Sequence, residues 1–231
     1  MQLQTSLNTM SVGEIVTADF RAAEVFKTAG IDFCCGGKKS LEQACREKEL
    51  DPSLLLSQLS KLDSLKPEAL NFNDWNLDFL CDYIVNTHHK FVSRNLPQIV
   101  LYTEKIAQVH GANHPELIEV AYLFGRINDE LIQHMDNEEK VLFPAIREMV
   151  REKNSDKRNI IQSEIMRMSG EHDFAGGAMD DINVITSGYK LPADACNTYR
   201  VAFQLLHQFE DDLHVHVHLE NNILFPKALK L

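Results

Sequence analysis

A chain of 231 residues, 44% hydrophobic and 25% charged, is long and apolar enough for one large or two smaller globular domains, and its composition is neither disordered nor fibrous. A formal net charge of -11, a sequence pI near 5.3 and the lack of any Lys/Arg cluster argue against a nucleic-acid partner or an anionic membrane surface. The N-terminus, Met1-Gln-Leu-Gln-Thr-Ser, has no signal-peptide pattern and no apolar run approaches a membrane span, so a cytoplasmic location is expected.

The five cysteines, Cys34, Cys35, Cys45, Cys81 and Cys196, are odd in number and scattered apart from one adjacent pair. That is not a secreted disulfide framework, and reduced thiols are expected.

Along the chain, Ser11 with Glu14 forms a capping box for a first helix carrying Ile15, Phe20, Val25 and Phe26, which Gly30 ends. A loop follows, Asp32-Phe-Cys34-Cys35-Gly-Gly-Lys-Lys39. Ser40 then caps another helix, with Gln43 as its reciprocal partner. Adjacent thiols before a helix N-terminus and beside two lysines sit where a thiolate is favoured. Cys34 and Cys35 can equally well fill a small apolar niche beside Phe33, and the residues alone leave both readings open. The division expected is a small helical N-terminal domain over 1–65 and a helical bundle over 66–231, with Pro67 and the Asn/Asp cluster near 71–74 in the linker.

From Trp75 onward the apolar spacing is helical. One helix carries Leu77, Leu80, Ile84, His88/His89 and Val92, with Pro97 expected to bend it. A second, after the Gly111 to Pro115 turn, runs through Leu131, His134 and Glu138. A third, starting near Ser155 or Asp156, carries His172, and a fourth after Pro192 carries His216 and Glu220. Four amphipathic helices with short connections predict an all-α antiparallel four-helix bundle.

One stretch occurs twice. His134-Met-Asp-Asn-Glu138-Glu-Lys-Val-Leu-Phe-Pro144 is matched by His216-Val-His-Leu-Glu220-Asn-Asn-Ile-Leu-Phe-Pro226. On a helix, His and Glu at i and i+4 share a face. His89 precedes His134 by 45 residues and His172 precedes His216 by 44, so each half offers two imidazoles and one carboxylate. A glutamate in an apolar bundle interior is costly unless neutralised, and such convergence calls for cations. Two metals bridged by both carboxylates would each receive two nitrogens and two oxygens. A bridging oxide or hydroxide would still leave room for a small ligand. Mixed N/O donors of this kind suit iron, manganese or zinc, and a carboxylate-bridged pair inside a bundle favours di-iron or iron/manganese over a closed structural zinc, with iron the expected metal. Pro144 and Pro226 are expected to kink or end their helices. His214 and His218 should point away from the metals as solvated or supporting groups. Asp211, Asp212 and Glu139 read as a charged outer face, and Met166, Met168 and Met179 as core.

The pattern His89, His134-x-x-x-Glu138, His172, His216-x-x-x-Glu220 with the doubled Leu-Phe-Pro resembles the haemerythrin-like cation-binding domain. Asp-Phe-Cys34-Cys35-Gly-Gly-Lys together with Leu-Glu-Asn-Asn-Ile-Leu-Phe-Pro resembles, more specifically, the repair-of-iron-centres (YtfE/ScdA-like) di-iron proteins. This resemblance implies a cytoplasmic stress-response protein holding two iron ions that repairs iron-sulfur clusters damaged by nitric oxide or peroxide. It assigns the metal ligands to His89 (rather than His88), His134, Glu138, His172, His216 and Glu220. It also implies supporting carboxylates at Glu130 and Glu171 and functional thiols at Cys34 and Cys35. Damaged iron-sulfur proteins and the diatomic ligands NO and O2 are the implied partners, and the sequence leaves a homodimer open. Oxygen-carrying haemerythrins use a fifth histidine that has no match here. A nitric oxide reductase or an oxygen- or NO-binding sensor remains the alternative, and whether the protein is an enzyme stays open.

Overall fold

The computed structural model describes residues 10–62, 71–152 and 157–231. Apart from an isolated antiparallel bridge between Ser11 and Ser40, the regular structure of these residues is helical. The chain divides into two compact units, Met1–Leu80 with Val217–Lys230, and Cys81–His216 with Leu231. The sequence reading placed 217–231 with the bundle, whereas by contacts 217–230 groups with the N-terminal helices. Most of the expected linker, Pro67 included, and the expected helix start at Ser155 or Asp156 lie outside the described residues.

In the first unit, α1 (Val12–Ala18) and α2 (Ala22–Thr28) replace the single helix expected up to Gly30. The break falls at Asp19, whose carboxylate accepts hydrogen bonds from the backbone and guanidinium of Arg21 and so competes with helix continuation. The capping box forms, with Ser11 N donating to Glu14 Oε2 at 2.7 Å and Glu14 N to Ser11 Oγ at 3.2 Å. Gly30 takes the left-handed conformation (φ 65°) just past α2. A 3-10 turn, Gly36–Lys38, leads into α3 (Leu41–Glu47), and α4 (Pro52–Leu62) follows. Ser40 caps α3 through Gln43 N, but the Gln43 side chain donates to Glu47. Val12, Val16, Phe26 and Cys45 are completely buried in this unit's core.

This unit also contains the chain from Val217 to Lys230, and α1 packs on its turn Glu220–Leu224. Gly13 and Gly37 let the backbone approach Asn222 closely: a Cβ on Gly13 would lie 2.4 Å from Asn222 Oδ1, and one on Gly37 2.9 Å from the same atom. Asn222 Nδ2 reaches the carbonyl oxygens of Phe33 (3.3 Å) and Cys34 (3.1 Å), fastening the cysteine loop to the C-terminal segment.

Four rods build the bundle. The first is α5 (Leu77–Ile84), a π turn at Val85–His89 and α6 (Lys90–His110). The second is α7 (Glu116–Asn137), a π turn at Glu138–Leu142 and α8 (Phe143–Glu152). The third is α9 (Arg158–Ile185). The fourth is α10 (Asn197–Leu219), a π turn at Glu220–Leu224 and α11 (Phe225–Ala228). The fold is thus the all-α four-helix bundle with a small helical N-terminal part. Val92, Ile99, Phe124, Met168, Ile182 and Leu206 are among the side chains filling the bundle core.

Pro144 and Pro226 do not end their helices. Each sits at the second residue of a helical segment that continues from a wide turn, in which Phe143 N donates to Glu138 O and Phe225 N to Glu220 O, five residues back. A proline removes the ordinary i to i-4 bond and its ring presses on the carbonyl one turn back, and the widened turn accommodates both. Met168 and Met179 are core as expected, while Met166 is 79% exposed.

Candidate metal centre

Helical spacing brings the donors together. His134 and Glu138 lie one turn apart, with Nε2 to Oε2 at 3.3 Å, and His89 Nε2 from the first rod lies 3.2 Å from the same carboxylate oxygen. His172 Nε2, from α9, is 3.2 Å from His134 Nε2. On the fourth rod, Glu220 stands one turn beyond His216. Two clusters result, His89–Glu138–His216–Glu220 and His134–Glu138–His172–Glu220, each with its ligand atoms within 4.8 Å of one another. Both glutamates are fully buried, and the four histidines are at most 2% exposed. His89 enters these clusters and His88 does not.

The imidazoles are oriented from behind. His134 Nδ1 donates to Glu171 Oε2 at 2.7 Å, and His89 Nδ1 donates to Glu139 Oε1 at 2.8 Å. With each N–H committed to a carboxylate, the Nε2 atoms present lone pairs toward Glu138. Bare nitrogens and a buried carboxylate facing one another at 3.2 and 3.3 Å repel unless a cation stands among them. Donors about 2.1 Å from a metal are separated by about 3.0 Å in octahedral and about 3.4 Å in tetrahedral geometry, so the spacings fit the edges of a coordination polyhedron. The residues present therefore fit a metal.

Glu171 is itself held below the usual carboxylate range, chiefly by the His134 hydrogen bond, with Arg167 and His172 adding to it and burial opposing. Arg167 anchors Glu171 and also pairs with Glu164. Glu130, one turn before His134, lies exposed on α7 outside the clusters.

Several supporting groups were not legible in the sequence. Glu139 and Asp212, expected on a charged outer face, engage histidines: Glu139 takes His89 as above, and Asp212 Oδ1 lies 3.0 Å from Nδ1 of the buried His88. The His88 ring stacks on His216 with centroids 5.3 Å apart. His218 is not solvated but completely buried within the first unit, near Phe20 and Phe33, and burial pushes its pKa down to about 4. His214 groups with Asp180 and Glu210 in a separate cluster, and Glu210 is pushed up to about 7, chiefly by burial.

The cysteine pair lies in the first unit, where Cys34, Cys35 and Asp32 form a further cluster. Asp32 accepts from the backbone N–H of Cys34, Cys35 and Gly36 and from Cys34 Sγ at 3.1 Å. Cys34 is buried and Cys35 half-buried, with sulfurs 3.9 Å apart. The expected thiolate is reversed at Cys34: the Cys35 hydrogen bond, burial and the Asp32 charge push its pKa well up, so the thiol keeps its proton. None of the five cysteines is in a disulfide.

Buried histidines and glutamates converging inside a four-helix bundle define a cation-binding helical protein. Residues 82–228 match the hemerythrin HHE cation binding domain, and residues 8–63 match ScdA_N, a domain of unknown function. The chain is 34% identical over 221 residues to the iron-sulfur cluster repair protein ScdA of Staphylococcus haemolyticus, spanning 95% of this chain and 98% of the relative. It is 35% identical over 220 residues to the iron-sulfur cluster repair protein YtfE of Musicola paradisiaca, spanning 95% and 96%. A YtfE relative from Yersinia pestis is 36% identical over 223 residues, again 95% and 96%. The chain belongs to the ScdA/YtfE family of proteins with a hemerythrin HHE domain. No helix among the described residues is long and apolar enough to cross a membrane.

Proposed function

We propose that the chain is a di-iron protein that repairs iron-sulfur clusters damaged by nitrosative or oxidative stress, giving up iron from a labile site to the damaged client. The observation that carries this reading is the sharing of Glu138 and Glu220 by two buried clusters, each completed by two histidines. Six side chains divided in this way give each of two ions four protein donors, short of the about six that iron accepts. Such a site holds metal while leaving it open to exchange and to small ligands such as NO and O2.

Iron is here both the bound ion and the cargo, and when bound it supplies an open position for a small ligand. The chain's own residues set how tightly it is kept. Glu171 and Glu139 fix the tautomers of His134 and His89 so that Nε2 is available. Each Nε2 lone pair is a donor that a proton competes for, so protonation there favours release. Exposed Glu130 is assigned the role of meeting hydrated iron at the surface. Cys34 and Cys35 are assigned the role of meeting iron in transit or the client cluster. The names carried by the relatives support the repair reading.

Iron analysis with Mössbauer spectroscopy, before and after incubation with an apo-cluster acceptor, tests the reading. About two irons per chain and a loss of iron matched by acceptor recovery are expected. Retained iron overturns donation. Catalytic turnover of NO with an electron donor and no iron transfer would identify a nitric oxide reductase instead. A Cys34→Ser/Cys35→Ser protein with unchanged repair would remove the thiols from the mechanism.

A further inference from the structure

At the start of the fourth rod, Cys196 directly precedes α10, and its carbonyl accepts the hydrogen bond of Arg200 N. The residue stands at the positive end of a 23-residue helix. His110, the last residue of α6, brings Nε2 to 3.2 Å from Sγ. Cys196 is also the exposed one of the five thiols: Cys34, Cys45 and Cys81 are buried and Cys35 half-buried. Nearby carboxylates are otherwise engaged, His114 taking Asp194 at 3.1 Å and Glu116 at 3.3 Å. The rings of His110 and His114 both pack on Tyr199. A cavity of about 260 Å³ shares His114 and Tyr199 with this cluster and has Lys190 on its wall.

We propose that Cys196 and His110 form a thiol–disulfide exchange site that takes up a low-molecular-weight, carboxylate-bearing disulfide as a mixed disulfide. His110 Nε2 receives the thiol proton. The Cys196 thiolate attacks one sulfur of the incoming disulfide, the new S–S bond forms as the old one breaks, and the departing thiolate takes the proton back from His110. The disulfide is the oxidant and no other reactant is needed. The backbone at the helix N-terminus and the His110 imidazole lower the Cys196 pKa and so favour loss of the thiol proton, and Lys190 offers a counter-charge for the carboxylate-bearing group. Along α10, Cys196 and His216 are twenty residues apart, about 30 Å at helical rise, so exchange at this thiol leaves the metal ligands untouched.

The test uses the full metal-loaded chain with oxidised glutathione at pH 7, followed by peptide mass mapping over time. Cys196 is expected to take up one glutathionyl group about tenfold faster than Cys35, with metal content unchanged. His110→Gln should slow Cys196 by about tenfold and leave the Cys35 rate alone, and Cys196→Ser should abolish the rapid addition. Modification of Cys35 first, or a Cys196 rate unmoved by His110→Gln across pH 6 to 9 in a variant whose circular dichroism is native, would overturn the proposal.

Discussion

Replacing Glu171 by alanine isolates what the supporting carboxylate does for the metal centre. Glu171 Oε2 accepts from His134 Nδ1 at 2.7 Å, and its side chain is 22% exposed. Losing the carboxylate frees the His134 ring to turn and lets the proton sit on either nitrogen, which removes Nε2 from the donor set part of the time. Loss of such a partner costs about 10- to 100-fold in metal affinity, or about 1.4 to 2.8 kcal/mol. The same substitution at Glu139, whose side chain is 45% exposed against His89, should cost less, because water screens that pair. Glu171→Gln should fall between, since an amide oxygen can still accept from Nδ1 but carries no charge. Affinity is read by chelator competition at fixed pH, with thermal melts of the metal-free proteins alongside. The reasoning fails if Glu171→Ala binds metal like wild type, or if its metal-free melting point falls enough to account for the lost affinity.

Removing the buried carboxylates themselves should have opposite effects on binding and stability. Glu138→Ala with Glu220→Ala is expected to abolish metal binding while leaving the metal-free protein as stable as wild type or more so, because two buried charges are gone; a less stable metal-free double variant would argue that both groups are structural. Gly13→Ala places a methyl 2.4 Å from Asn222 Oδ1 and should cost about 1 to 3 kcal/mol in denaturant unfolding, relieved in part by Asn222→Ala. Glu210 is raised, chiefly by burial, to about 7 from an ordinary glutamate value of 4.5, so its contribution favours the fold below about pH 4.5 and is lost as pH rises through 7. Glu210→Gln should therefore stabilise the metal-free protein relative to wild type at pH 8, by on the order of 3 kcal/mol more than at pH 4.5, and a pH-independent difference would refute it.

The convergence of four histidines and two glutamates was legible because helical periodicity puts the His and Glu of His-x-x-x-Glu on one face, and because the halves repeat at nearly equal spacing. The groups behind the ligands were not. His89 finds its acceptor 50 residues away on Glu139, and His88 finds Asp212 124 residues away, pairings that depend on how the helices pack. On a single helix, Glu139 and Asp212 have the pattern of solvated charges. His218 was correctly placed off the metal-facing stripe, but the side opposite that stripe is not solvent here: it is the apolar interior of the first unit. Likewise the split at Asp19 depends on a local competition for backbone N–H groups that apolar spacing does not report. At Cys34 the lysines and helix end visible in sequence are outweighed by the Cys35 hydrogen bond, by burial and by the Asp32 carboxylate turned onto it, none of which the linear order reports.

The doubled stretch has two parts with different physical tasks. His-x-x-x-Glu supplies donors. Leu-Phe-Pro, four residues beyond the glutamate, makes an ordinary helical turn unfavourable, and the backbone answers with a π turn that opens at Glu138 in one copy and at Glu220 in the other. A third π turn closes on His89. A wide turn at a ligand alters the backbone that aims it without ending the helix, so the rod stays continuous past the site and its apolar face still packs. The glutamates shared by both clusters are thus carried where the helix is least regular, while His134, His172 and His216 sit in regular α-helix. For a centre proposed to release metal, that distribution places the local departure from helical geometry on the two carboxylates common to both clusters, the donors that two ions would share and whose movement would open the site most.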